Sequence, residues 1–436
     1  MLKTLCTRGS KQVSNCLLIP LFWVAFSIIL ISDIPSFVLV ANAQRQSAQV
    51  VNANNYPGQD IGAKINAADK ALGQKSGDIV VKGGGTISTQ IVISSDHVLR
   101  LMPGTYAATT ATIPILLKPR SSVIGSGWDS IIVESTAQGQ FTVISAYNHS
   151  ILNGTADAGL VIRNVQIKGA NPGFYSAPSA ISLGNCTGCL VDKVWINGTR
   201  SIGAQLGGSS SMGNLAENSK VTNCLFTRVA SQNLALVNGR NITFEGNRFI
   251  ASGQRGGPGN TNIDLEPNEA TDHLQNIIIR NNFIDVHDSE MPTTGNGIVV
   301  QATTGTPYVG PILVENNRII GGSTQGVVTN VLSNGIFVFG ATMRDVTIRN
   351  NVITRTGQTG ITINGTRIVV ANNELNDVGG GGTPGFIVNA SYSQIVNNTF
   401  TYSGRGPVDG RLIVSATSNN ITFRNNRGFD IVGNIR

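Results

Sequence analysis

From about residue 160 onward, short apolar runs alternate with polar positions in a pattern that keeps returning. Segments such as "IIIRNNFIDV" (277–286), "ILVENNRII", "VTIRNNVIT", "IVVANNELN", "QIVNNTF" and "ITFRNNRGF" set two adjacent asparagines between two β-forming runs. Aligned on apolar-x-Asn-Asn-x-apolar, the second central position is held by Val165, Val194, Cys224, Asn247, Asn282, Asn317, Asn351, Asn373, Asn398 and Asn426. The spacing runs from 22 residues (351 to 373) to 35 (247 to 282). A recurrence of that length built from short β segments signals a solenoid with one coil per repeat.

A second column lies between these corners: "AISLGN", "GAQLGG", "NLALVN", "NIDLEP", "GIVVQA", "GIFVFG", "GITING", "GFIVNA" and "RLIVSA". Each has apolar residues at alternate positions, as in a strand with one buried face. Each coil therefore carries at least two strands, and stacking coils about 4.8 Å apart pairs every strand in parallel with its copy. The predicted fold is all-β, a single-stranded parallel β-helix. Asparagine suits its corners, because it takes the left-handed conformation cheaply and its amide both donates and accepts. Stacked amides then satisfy one another, starting at Asn247. Cys224 shares that column and is expected to be a buried free thiol. In "DIGAKINAADKALG", Ile61, Ile65, Ala68 and Leu72 fall on one helical face, which predicts a capping helix over 60–73. "FDIVGNIR" at the C-terminal end shows no comparable segment, leaving self-assembly through that edge open.

Composition narrows the class. With 41% apolar residues and 13% charged, the chain is no disordered polymer. Lys3, Arg8 and Lys11 precede "CLLIPLFWVAFSIILISDIPSFVLV" and Ala41-Asn42-Ala43, the order of a secretory leader cut before Gln44. The expected layout is leader 1–43, N-terminal segment with helix 44–78 and β-helix 79–436, with a secreted, periplasmic or cell-surface location and no transmembrane segment after cleavage. Losing the leader takes the net charge from +7 to +5. No Lys/Arg block points to nucleic acid. Cys186 and Cys189 have metal or redox spacing without a completing pair, so a local disulfide or two packed thiols is expected.

The layout resembles the pectate-lyase-like superfamily of right-handed parallel β-helix proteins over nearly all of the mature chain. The capping helix, "LMPGTY" (101–106), "SSVIGSGWDSIIV" (121–133) and the Asn turns carry the resemblance. It implies the fold and a range of roles: polysaccharide lyases, glycoside hydrolases, epimerases and inert adhesive or scaffold proteins. "GPGNTNIDLEP" is similar to the first acidic turn of polygalacturonases, but their double-aspartate, Gly-His-Gly and Arg-Ile-Lys segments are absent. The Asp-Pro-His turn of mannuronan epimerases and the basic triad of pectate lyases are absent too.

Candidate chemistry sits on the outward positions of the second column, which are expected to face solvent. Asp264 and Glu266 stand two residues apart on one strand, so their side chains should emerge about 7 Å apart. That separation suits an inverting glycosidase, which needs roughly 6.5–9.5 Å between acid and base. It equally suits calcium, with Glu269 as a further ligand and Asp272 available. Arg255 and His273 are candidate catalytic partners for Asp264 and Glu266, as cation and base. Phe337, Phe339, Gln301 and His287 are candidate substrate contacts. His97 and His149 read as ordinary surface or turn residues. From corner to first outward residue takes 11 residues in bare coils (Val194 to Gln205), but 17 from Asn247 to Asp264 and 20 from Asn317 to Phe337. Solenoids grow loops where they bind. The expected partner is a polysaccharide, anionic by preference, which the protein either converts or binds without turnover.

Overall fold

The structure is a computed structural model that describes residues 49–110, 113–135, 142–169, 179–251, 261–286, 295–302, 308–322, 334–340, 342–380, 382–404 and 408–433. The expected leader, Arg255 and His287 lie outside the described residues. One coil shows the plan. The strand His273–Arg280 runs into the Asn281-Asn282 corner, Phe283–Asp285 follows, and Asn296–Gln301 closes the turn. Each strand pairs in parallel with its copy one coil on: Arg280 with Glu315, Asp285 with Ile320 and Val299 with Phe337. The three strand classes build three long sheets, here sheet 1 before the Asn corner, sheet 2 after it and sheet 3 last. Sheet 1 already begins with Gln49–Asn52 paired to Gly77–Val81, ahead of the position expected for the first rung.

Alternation sends Ile277, Ile279, Ile284, Ile298 and Val300 inward, all buried in one continuous core. Removing each such side chain from water stabilises the fold by about 1.5–3 kcal/mol. Parallel stacking places like on like, so every coil repeats the gain.

The paired asparagines divide the work of the corner. The first residue of each pair is left-handed, with φ of +56° at Asn281, +54° at Asn316 and +55° at Asn350. The second points inward and joins a ladder: Asn282 Nδ2 donates to Asn317 Oδ1 at 2.9 Å, and Asn317 Nδ2 to Asn351 Oδ1 at 3.0 Å. The backbone N–H of each donates to the same oxygen, Asn282 N to Asn317 Oδ1 at 3.0 Å. The ladder starts where Cys224 N donates to Asn247 Oδ1, and Val165, Val194 and Cys224 fill the slot before it, all buried. Cys186, Cys189 and Cys224 are free, buried thiols; Cys186 and Cys189 pack together without a disulfide, and burial pushes Cys224 up to about 12.

The helix expected over 60–73 spans Ile61–Leu72. Asp60 accepts from Ala63 N at 3.0 Å and Gly73, at φ +64°, ends it. Its apolar face is buried against Gly85–Ile87 and Ile91–Ile93, the first strands of sheets 2 and 3. The approach is close: a Cβ on Gly62 would fall 2.2 Å from Thr89 O. His97 is not a surface residue. It is buried between Asp69, 2.7 Å from its Nδ1, and Lys75 O, 3.0 Å from its Nε2.

Sheet 1 wears its charges in a regular way. Arginines pair with carboxylates on the adjoining rung: Arg100 with Asp78, Arg163 with Asp192, Arg280 with Glu245, Arg349 with Glu315 and Arg367 with Asp345, at 2.6–3.0 Å. Exposed pairs of this kind each contribute about 0–1 kcal/mol, and their main effect is to leave the face near neutral.

Candidate functional site: an acid pair on sheet 3

Sheet 3 aligns its outward residues in columns. One runs Gln205, Ala235, Asp264, Val299, Phe337, Thr362 on successive rungs. The expectation that this column faces solvent is overturned at its centre. Ala235, Asp264, Val299 and Thr362 are all buried. Strand alternation sets which face a side chain leaves by, and material outside the repeat decides whether water reaches it.

Asp264 is the unusual member. It is 3% exposed and makes no ion pair among the described contacts. Gln232 Nε2 donates to Oδ2 at a long 3.3 Å, and Oδ1 is buried without a hydrogen-bond donor. Glu266, half-buried at the end of the same strand, comes close enough to share a hydrogen bond. Burial first, and the Glu266 charge second, push Asp264 up to about 8. A buried anion without donors is costly. Carrying a proton, Asp264 is neutral and its hydroxyl donates as well as accepts.

Glu266, with three rotatable bonds at a strand end, brings its carboxyl nearer to Asp264 than the expected 7 Å.

The other candidates divide. Phe337 and Phe339 stack side by side on the outward face, centroids 5.7 Å apart and planes within 7°. Phe337 lies two rungs from Asp264, about 9.5 Å along the stack. Gln301, half-buried, is paired in register with Phe339, which is 50% exposed. His273 does not join them. It opens a strand of sheet 1, is exposed, and its backbone N–H donates to Asn238 Oδ1 at 3.0 Å. The turn between the two sheets is the reason. Buried Asp272 accepts from Asn268 N, Glu269 N and Ser210 N at 2.8–2.9 Å, which swings the chain off sheet 3 before residue 273.

The calcium set is not assembled either. Glu269 accepts from Ser209, Ser210 and Ser211 hydroxyls and from Ser211 N at 2.7 Å, and these bonds hold its carboxyl well below the usual range. Among the described residues no three His, Cys, Asp or Glu side chains come together as a metal site.

One residue of this face was missed. His149, in the short helix Tyr147–Ser150, lays its ring over Gly184, where a Cβ would fall 2.1 Å from it. Gly184 follows the strand Ile181–Leu183 at an outward position, so His149 roofs an early rung of sheet 3. Buried Asp157 accepts from Asn148 N and His149 N, and Nδ1 lies 3.3 Å from Asn214 Oδ1. Burial lowers the pKa of the imidazole, so the ring is neutral at pH 7. The available signal was glycine at outward positions 184 and 207, which marks close approach of other atoms to a strand.

A model of the right-handed beta helix region matches residues 327–434. No curated protein matches the chain in sequence. Similar solved structures include the Azotobacter vinelandii mannuronan C-5 epimerase AlgE6 A-module, 14% identical, covering 88% of this chain and 100% of that one at a TM-score of 0.57. The catalytic unit of the thermostable GH87 alpha-1,3-glucanase of Streptomyces thermodiastaticus is 15% identical, covering 88% and 70% at 0.57. An exopolygalacturonase of Thermotoga maritima is 11% identical, covering 86% and 92% at 0.56. With all-parallel sheets, a stacked Asn corner and these likenesses together, the chain has the right-handed parallel β-helix fold of pectate-lyase-like proteins.

Proposed function

We propose that this protein is exported and acts on a polysaccharide laid along sheet 3, as a glycoside hydrolase using Asp264 and Glu266. The observation that carries the reading is a buried aspartic acid, short of hydrogen-bond donors and beside Glu266, at an outward position of a β-helix sheet. In this role Asp264 gives its proton to the glycosidic oxygen as the C–O bond breaks. Glu266 takes a proton from the water that adds to the sugar carbon. The resting carboxyls are closer than the roughly 6.5–9.5 Å that such a water needs. Glu266, half-buried at its strand end, turns aside when the sugar enters. Phe337 and Phe339 offer a flat apolar platform for a neighbouring ring.

Elimination or epimerisation at a uronate is less well served, because it requires a cation on the substrate carboxylate. Burial, Glu266 and Gln232 account for the shift at Asp264, and among the described residues no cation contributes to it. The similar folds act on mannuronan, α-1,3-glucan and polygalacturonan by their names, which supports a glycan as partner without choosing one. A second reading, glycan binding without turnover, is favoured by the near-complete burial of Asp264.

The test is product release from neutral and acidic glycans by the mature chain, Asp264→Asn and Glu266→Gln. Loss of new reducing ends by about 100-fold or more in each variant supports the acid–base roles. Unsaturated ends would show elimination instead, and equal turnover in all three proteins would remove the mechanism.

A further inference from the structure

The arginines of sheet 1 follow a rule: each of those named above is neutralised by a carboxylate one rung away. Sheet 2 breaks it. Arg248, Phe283 and Arg318 occupy one outward column on three successive rungs. Both arginines are exposed, and their guanidinium carbons lie 5.7 Å and 5.9 Å from the centroid of the Phe283 ring. Among the described residues neither guanidinium has a carboxylate partner or donates a hydrogen bond. Stacking on a ring leaves the charge in place and the N–H fork directed outward. Upstream in the same column stand Leu225 and Trp195, and Trp195 packs against the 42%-exposed Trp128 at 5.5 Å.

We propose that this column of sheet 2 is a second binding surface, separate from the acid pair on sheet 3, which holds a linear acidic polysaccharide. The two arginines are about 9.5 Å apart along the stack, set by two rung spacings. Each guanidinium meets a carboxylate or sulfate of the chain through paired N–H donors. Phe283 between them, and the tryptophans beyond, take the C–H faces of intervening sugar rings. Magnitude decides the ligand class. A nucleic-acid site of useful affinity neutralises several phosphates, and a membrane-surface patch gathers about 4–8 basic residues. Two exposed guanidiniums without a direct carboxylate partner, on either side of an aromatic ring, suit a polymer that alternates sparse anions with flat apolar faces. The surface neither requires nor implies turnover at Asp264.

Affinity electrophoresis in gels containing polygalacturonate or alginate tests it, with a neutral glucan gel, anionic lipid vesicles and single-stranded DNA as comparison ligands. The wild-type chain is expected to be retarded by the polyuronate, less so as salt rises. Arg248→Gln with Arg318→Gln should weaken that binding by about tenfold or more, since a hydrogen bond to a charged group is worth at least one decade. Phe283→Ala should weaken it several-fold. Arg280→Gln with Arg349→Gln removes the same charge from the paired face of sheet 1 and is expected to bind as wild type. So is Asp264→Asn with Glu266→Gln, which separates this surface from the proposed active site. Wild-type affinity in the Arg248/Arg318 variant, or an equal loss in the Arg280/Arg349 variant, would overturn the proposal. So would retention only by vesicles or DNA.

Discussion

Asn317 receives two hydrogen bonds from Asn282 on one oxygen, from the backbone N–H at 3.0 Å and from the side-chain amide at 2.9 Å. Its own amide passes one on to Asn351 and another to Ile279 O, both at 3.0 Å. Replacing it with alanine strands two buried donors and thins the ladder on both sides. Unmet buried groups cost about 1–3 kcal/mol each. Asn317→Ala should therefore lower the urea midpoint far more than Asn426→Ala, at the half-buried end of the ladder where water can substitute. Equal losses in the two variants would show that the amides are not acting as a buried network.

Lys193 takes the left-handed corner at φ +54° that Asn164 and Asn223 take in the adjoining coils. Lysine gains nothing locally from that conformation, whereas asparagine visits it at lower cost. Its side chain is exposed, its backbone N–H donates to Thr222 O at 3.1 Å, and its carbonyl accepts from Trp128 Nε1 at 2.9 Å. Lys193→Asn is expected to stabilise the fold by about 0.5–1 kcal/mol. A fall in thermal midpoint would contradict the corner argument.

Gly184 leaves room for the His149 ring, and a methyl group there would sit 2.1 Å from it. Gly184→Ala should destabilise by about 1–3 kcal/mol through overpacking. His149→Ala removes the clash, so a double-mutant cycle measured by denaturant unfolding should return most of the loss. Additive effects would mean that the ring is free to move away.

Stability should also depend on pH through Asp264. Its pKa in the fold is about 8, above the roughly 3.9 of an unfolded aspartate, so the fold binds its proton more tightly. The contribution is fully present below about pH 4 and is lost as pH rises through 8. Asp157, raised by burial to about 6, acts in the same direction over a lower window. Asp264→Asn is thus expected to remove the decline between about pH 6 and 8 and roughly to halve that between 4 and 6, where Asp157 also contributes. An unchanged profile would place the titrating group elsewhere.

Much of the architecture was legible because it repeats. The corner slot from Val165 to Asn398 is buried at each position named, and the alternating apolar residues of "GIVVQA" and "GIFVFG" fall on the core as their period requires. What escaped is what does not repeat. Asp264 and Glu266 stand two residues apart at outward positions, as their alternation predicts, but alternation carries no sign that Asp264 is buried. His273 follows Glu266 by seven residues but belongs to another sheet, because Asp272 fastens the turn between them. Glu269 was read as a free ligand, and three serines some sixty residues earlier hold it. His97 is held by Asp69, 28 residues earlier, and the backbone of His149 by Asp157, eight residues later.

The central claim is that Asp264 carries a proton at neutral pH because it is sealed beside Glu266. Following the Asp264 carboxyl carbon by NMR across a pH series, in wild type and in Glu266→Gln, tests this without any substrate. The account predicts titration near pH 8 in the wild type. In Glu266→Gln the midpoint should be lower, since the Glu266 charge is one of its causes. A wild-type midpoint near 4, where a solvated aspartate titrates, would contradict it.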